Sequence, residues 1–166
     1  MCKHLMKKMG IGPHDTTLIA TSTATYEGAV REILQLPFLY PIISVAHYRQ
    51  TNVNDNYKQR LANTEESILK NGMVNPLVVL VTNAAEWEQR LRIMRVGSQD
   101  DREFTKTPNV DGDIYQVMCG CKRLWIAKMA GYTHIDCLVT HSVEKAGEIC
   151  SAQRKSRKAI DNTSHS

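Results

Sequence analysis

The residues with the clearest capacity for chemistry lie in one run, Tyr115-Gln116-Val117-Met118-Cys119-Gly120-Cys121-Lys122-Arg123-Leu124-Trp125-Ile126-Ala127-Lys128-Met129-Ala130-Gly131. The run reads as a short strand, a glycine turn, and a helix that opens on Lys122-Arg123 and closes at Gly131. Glycine at such a turn lets backbone approach a ligand closely. The first helical turn presents N–H groups without intrahelical acceptors, and these favour an anion. Cations at that end oppose the helix dipole. Two of them beside a glycine therefore suit a bound phosphate, with Arg123 as a bidentate fork and Lys122 as a point charge. The other reading of Arg123 is structural, buried against a carboxylate such as Asp136. Cys121 stands at the same helix start, where a thiol beside cations becomes reactive. Its other reading is a small residue that packs the turn.

The flanking residues extend the pattern. Upstream lies Glu66-Ser67-Ile68-Leu69-Lys70-Asn71-Gly72-Met73-Val74-Asn75-Pro76-Leu77-Val78-Val79-Leu80. Downstream lies Gly131-Tyr132-Thr133-His134-Ile135-Asp136-Cys137-Leu138-Val139. The order is a helix stopped by Gly72, a strand from Asn-Pro-Leu, a strand into Gly-x-x-Arg, a helix ending in Gly131, and a short strand. This ordered set resembles the ParB/sulfiredoxin superfamily, in particular the N-terminal domain of ParB-type partition proteins, and it covers roughly Ile42 to Arg157.

The resemblance implies an α+β domain, a small mixed β-sheet with packed helices. It implies a stand-alone module that binds a nucleotide, CTP or ATP with Mg²⁺, or a nucleic-acid phosphate. The binding residues would be Gly120, Cys121, Lys122, Arg123 and Arg49, in the DNA metabolism of a phage, plasmid or other mobile element. Tyr48-Arg49 stands where ParB relatives carry a Pro-Arg motif. Two departures matter. The ParB glutamate of Gly-Glu-Arg-Arg is replaced by Cys121, and the ParB Glu-Asn-x-x-Arg counterpart is here only Ser151-Ala152-Gln153-Arg154-Lys155-Ser156-Arg157. Both count against CTP hydrolysis. In sulfiredoxins the matching motif is Gly-Cys-His-Arg with a catalytic cysteine. That makes an ATP-dependent enzyme using Cys121 the second reading, although Lys122 replaces the histidine. A degenerate interaction protein that keeps the fold without catalysis is the third. ParB partition proteins continue into a helix-turn-helix and a dimerisation segment, for which no room is expected after residue 158.

The tail concentrates Arg154, Lys155, Arg157 and Lys158, a run suited to nucleic-acid phosphates or to a solvated helix end. Net charge is +4, a mild bias compatible with a polyanionic partner. Five cysteines, an odd number without a disulfide-like framework, fit reduced thiols in a cytoplasm, that of the host cell if the source is viral. Cys119-x-Cys121 alone is a poor zinc signal, and Asp100, Asp101, Asp111 and Asp113 form no convincing nuclease cluster, so no metal site is expected. Hydrophobic content is 42% and mean hydropathy −0.34. No apolar run approaches a membrane span, and no apolar segment follows Lys3, Lys7 and Lys8 as a secretory signal requires.

The elements that must position these residues follow from periodicity. Residues 1–40 read as an arm plus an extra helix from Thr23 to Leu36, ended by Pro37. The domain proper spans 41–158, beginning with a short strand from Pro41 to Val45. A helix capped by Asn54 or Asp55 runs to Asn71, with Leu61, Ile68 and Leu69 inward and Gly72 as the stop. Leu77 to Val81, wholly apolar, reads as a buried strand. Residues 83–113 are an insertion relative to the family, an amphipathic helix from Ala84 to Val96 and then a charged loop. It suits a lid, a lengthened hairpin, or a surface for a protein partner or second copy. Trp125 and Met129 lie four apart on one helix and read as core. A last helix is expected from Val143 to Lys158, with 159–166 a flexible tail.

Overall fold

The computed structural model describes residues 16–42, 55–97 and 104–164. The elements are β1 (Thr17–Leu18), β2 (Val30–Gln35), a 3-10 turn (Leu36–Phe38), β3 (Leu39–Pro41), α1 (Asp55–Asn71), β4 (Leu77–Thr82), α2 (Ala84–Gly97), β5 (Ile114–Cys119), α3 (Cys121–Ala130), β6 (His134–Thr140) and α4 (Val143–Ser164). The class is α+β with one mixed sheet, as expected. β6 runs parallel to β4 and β1 and antiparallel to β2; β5 runs antiparallel to β4 and parallel to β3. β2 pairs with His134 to Val139, so β1 and β4 must share the other edge of β6, one after the other.

The continuous apolar run of β4 has its reason in this order. Every residue from Leu77 to Thr82 is buried. Alternate side chains serve opposite faces. Leu77, Val79 and Val81 join Ile68 of α1 and Leu124 and Ala127 of α3 in one core. Val78 packs with Leu138 of β6 and Ala146, Ile149 and Cys150 of α4. Ile114 of β5 meets Trp87 and Leu91 of α2. The sheet is thus covered by α1 and α3 on one face and by α2 and α4 on the other. The helical part of the 83–113 insertion builds this second face. No helix among the described residues is long and apolar enough to cross a membrane.

Three expectations are corrected. The helix from Thr23 to Leu36 is not formed. Gly28 takes a left-handed φ of 81°, which interrupts any helix there, and Val30 to Gln35 extend along β6 instead. Its apolar residues fit either period, and a free sheet edge favours β-branched Val30 and Ile33 in the extended form. The strand expected from Pro41 to Val45 begins earlier, at Leu39; residues 43–45 lie outside the described residues. The last helix runs on to Ser164 rather than ending at Lys158. The glycine stops behave as expected. Gly72 has φ 82° and donates its N–H to Ile68 O at 2.9 Å.

An ion pair between an exposed-side arginine and a buried carboxylate ties the N-terminal strands to the sheet. Asp136 of β6 is 1% exposed. Its carboxylate accepts Arg31 Nε at 3.0 Å, Arg31 Nη2 at 2.6 Å and the Ala20 N–H at 3.0 Å. Arg31 also donates to Ser22 O at 2.5 Å and Ala20 O at 3.1 Å. The hydrogen bond to Asp136 raises the guanidinium pKa further against the pull of burial. The pair thus links β1, β2 and β6. Removing one partner of a buried pair strands the other charge, at a cost of about 3–5 kcal/mol. Arg31 keeps 32% of its side chain exposed, so water relieves part of this. We expect Arg31→Leu to cost about 2–3 kcal/mol in urea denaturation, and Arg31→Leu with Asp136→Leu to recover part of the loss. Additive losses in the double variant refute the coupling.

Candidate functional site

The strand, glycine and helix run forms as expected, but its side chains are arranged differently. β5 pairs Val78 with Cys119 and Val79 with Val117, leaving Met118 as an extra residue in a bulge. Bulges redirect the side chains that follow. Here Met118 and Cys119, adjacent in sequence, both pack against the α4 face. The chain then turns at Gly120, with φ 103° and ψ 23°, and enters α3. Leu124 N donates to Gly120 O at 2.9 Å. The cap offers no side chain to the first turn, and that turn holds no acidic residue.

Glycine is required here by packing inside the protein. A Cβ at Gly120 would collide with Leu77 Cδ2 and lie 2.8 Å from Arg123 Nη2. The guanidinium of Arg123 thus sits against the turn. Its Nη1 donates to the main-chain carbonyl of Asn75 and, at 3.5 Å, to that of Pro76; its Nη2 lies 4.0 Å from Cys119 Sγ. Arg123 is a strut between α3 and the start of β4. The carboxylate suggested for it, Asp136, belongs to Arg31.

Gln153 of α4 completes this knot, and sequence reasoning assigned it no role. It is 2% exposed. Its Nε2 donates to Pro76 O at 3.0 Å, and its Oε1 accepts the Cys119 thiol at 3.8 Å. The one trace in sequence is its position, three residues after Cys150 on the same helix, where the two share a face.

Cys121 lies inward. It is 7% exposed within the α1–α3 core, and its thiol donates to Val117 O at 3.5 Å. That geometry is the packing reading, and it takes the sulfur out of reach of a substrate. Cys137 is also buried, and burial pushes its thiol far above the ordinary range.

Lys122 is half-buried at the first turn of α3, and Arg154 and Lys155 are exposed on α4. Arg123 and Arg154 each act on the Cys150 thiol, lowering a pKa that its other surroundings raise. Arg123 of α3 and Arg154 of α4 thus both lie near Cys150. The side chains of Arg157 and Lys158 lie outside the described residues, as does Arg49. Compared with protein-family models, curated proteins and solved structures, the chain matches none.

The junction makes a stability prediction. Gly120→Ala meets the left-handed penalty of about 1–2 kcal/mol plus the collision with Leu77. Arg123→Ala removes this donor from the Asn75 carbonyl, while Pro76 O keeps Gln153, at a cost of about 1–3 kcal/mol. Both losses are read from denaturant midpoints, and Arg123→Lys should restore part of the second. A neutral Arg123→Ala would show that the strut carries no load.

Proposed function

We propose that this chain is a ParB-like, phosphate-binding module that takes a nucleotide or a nucleic-acid backbone at the Gly120–Lys122 entrance of α3. The observation that carries the reading is the glycine-capped start of α3, which has no acidic side chain and carries Lys122 and Arg123 in its first turn. The helix end contributes oriented N–H groups, and the cations contribute long-range attraction. Arg123 remains charged while its N–H groups hold Asn75 and Pro76. It therefore contributes to the field at the junction as well as to its shape. Lys122, part-exposed in the first turn of α3, is the cation we assign to the phosphate, and Lys155 would extend the basic track along α4.

Binding without cysteine chemistry is favoured over the sulfiredoxin-like enzyme by one specific feature. Cys121 is buried and its thiol is directed to Val117 O. The same feature suits a protein that uses the fold as an interaction module, and the ligand test separates the two.

Titration with CTP, ATP, single-stranded and double-stranded DNA, with and without Mg²⁺ and at low salt, should give saturable binding in at least one arm. Trp125 lies within α3 and offers a fluorescence reporter. Affinity should fall as salt rises, because counterions compete for the same cations. Lys122→Glu should weaken binding about tenfold or more, a change of about 1.4 kcal/mol, with an unchanged circular dichroism spectrum. Lys122→Ala should cost only severalfold, since a part-exposed charge is screened. Absence of binding below millimolar concentrations in every arm refutes the proposal.

A further inference from the structure

The bulge in β5 has a second consequence, one that depends on the fold alone and not on the phosphate reading. It turns Cys119 onto the α4 face, where Cys119 and Cys150 pack in one apolar cluster with Val78, Leu138, Ala146 and Ile149. Both are thiols in this structure. Cys119 donates to Gln153 Oε1 at 3.8 Å, one turn beyond Cys150 on the same helix, and lies near enough to raise the Cys150 thiol pKa. Two cysteines packed in one cluster, one on a strand end and one on a helix, are placed to bond covalently after a small movement.

We infer that Cys119 and Cys150 form a peroxide-driven disulfide that pins α4 to the end of β5. The two residues have unequal roles. Cys119 is partly exposed, and Arg123 Nη2 lies 4.0 Å from its sulfur. A neighbouring cation favours the thiolate. Cys150 is buried, and the hydrogen bond with Cys119, then burial, push its thiol pKa up despite Arg154 and Arg123. Cys119 is thus the sulfur that a hydroperoxide meets, and Cys150 is the partner that keeps its proton until needed.

The chemistry balances with hydrogen peroxide as the oxidant. The Cys119 thiolate attacks one peroxide oxygen; the O–O bond breaks, an S–O bond forms, and hydroxide leaves with the thiol's former proton as water. The Cys150 sulfur then attacks the Cys119 sulfenic acid. The S–S bond forms, the S–O bond breaks, and the departing hydroxide takes the Cys150 proton as a second water. Two thiols and one peroxide give one disulfide and two waters. A dithiol reductant reverses the result.

The test is direct mapping on the full chain. The protein is treated with stoichiometric hydrogen peroxide, blocked with iodoacetamide under denaturing conditions, digested and read by mass spectrometry. The expected product is a Cys119–Cys150 linked peptide that disappears on dithiothreitol treatment, with Cys121 and Cys137 still alkylated. Cys150→Ser should instead leave a sulfenic acid on Cys119, captured by dimedone, while Cys119→Ser should abolish peroxide consumption at low dose. The wild-type map stands even if a variant folds poorly. Alkylation of both Cys119 and Cys150 after peroxide, or linkage of either to Cys2, Cys121 or Cys137 in their place, overturns the inference.

Discussion

A carboxylate buried at the centre of a sheet dictates much of this architecture. Asp136 lies on β6, the strand with the most partners, and is shut off from water. A lone charge there costs several kcal/mol, so it must be matched by donors on all sides. Arg31 supplies two of them from β2 and the Ala20 backbone a third. The geometry fixes the register of β2, because Ile33 sits opposite Asp136 and Arg31 must lie two residues away on the same face. It also holds residues 20–22 against the sheet, where the backbone N–H groups of Thr21 and Ser22 bond Met73 and Val74 at 2.9 Å. The N-terminal segment from Thr16 is consequently part of the domain and not an arm attached to it.

That constraint also explains where the sequence misleads. Thr23 to Leu36 carries apolar residues at spacings that satisfy either a helix or a strand, and periodicity alone does not decide between them. What decides the matter is Arg31, whose partner lies 105 residues away. Elements set by local signals were legible: β4 by its unbroken apolar run, α1 and α3 by the glycines that stop them, α2 by its amphipathic spacing. The role of α2 was not legible. Its Trp87 and Leu91 pack with Ile114, so a segment that reads equally as a lid, a lengthened hairpin or a partner surface contributes a wall of the core.

At the junction the same distinction applies on a smaller scale. The strand, turn and helix were visible because Gly120 and Gly131 punctuate them, and both adopt left-handed backbone. The side-chain assignments depended on contacts made across the fold. Arg123 reaches carbonyls 47 and 48 residues earlier. Gln153 joins the same carbonyl from the opposite face of the sheet. Cys119 changes face because one residue is bulged, and no alternation rule foresees that. Local chemistry thus located the turn and helix but not the contacts their side chains make.

The division of labour bears on how such a site would work. A guanidinium that grips a phosphate and one that braces a turn differ in which N–H groups they spend, not in their charge. Direct contact is short-ranged and geometric; the field extends over roughly a Debye length, about 10 Å at moderate salt. Arg123 can therefore be structural by contact and electrostatic at a distance, provided another group makes the contact. In the proposed site, the close packing of Gly120 against Leu77 would serve more than packing. It fixes the direction of the α3 axis relative to β4, and so fixes where its first N–H groups point. Preorganised donors of this kind need no reordering when an anion arrives, which is how a short helix end acquires useful affinity.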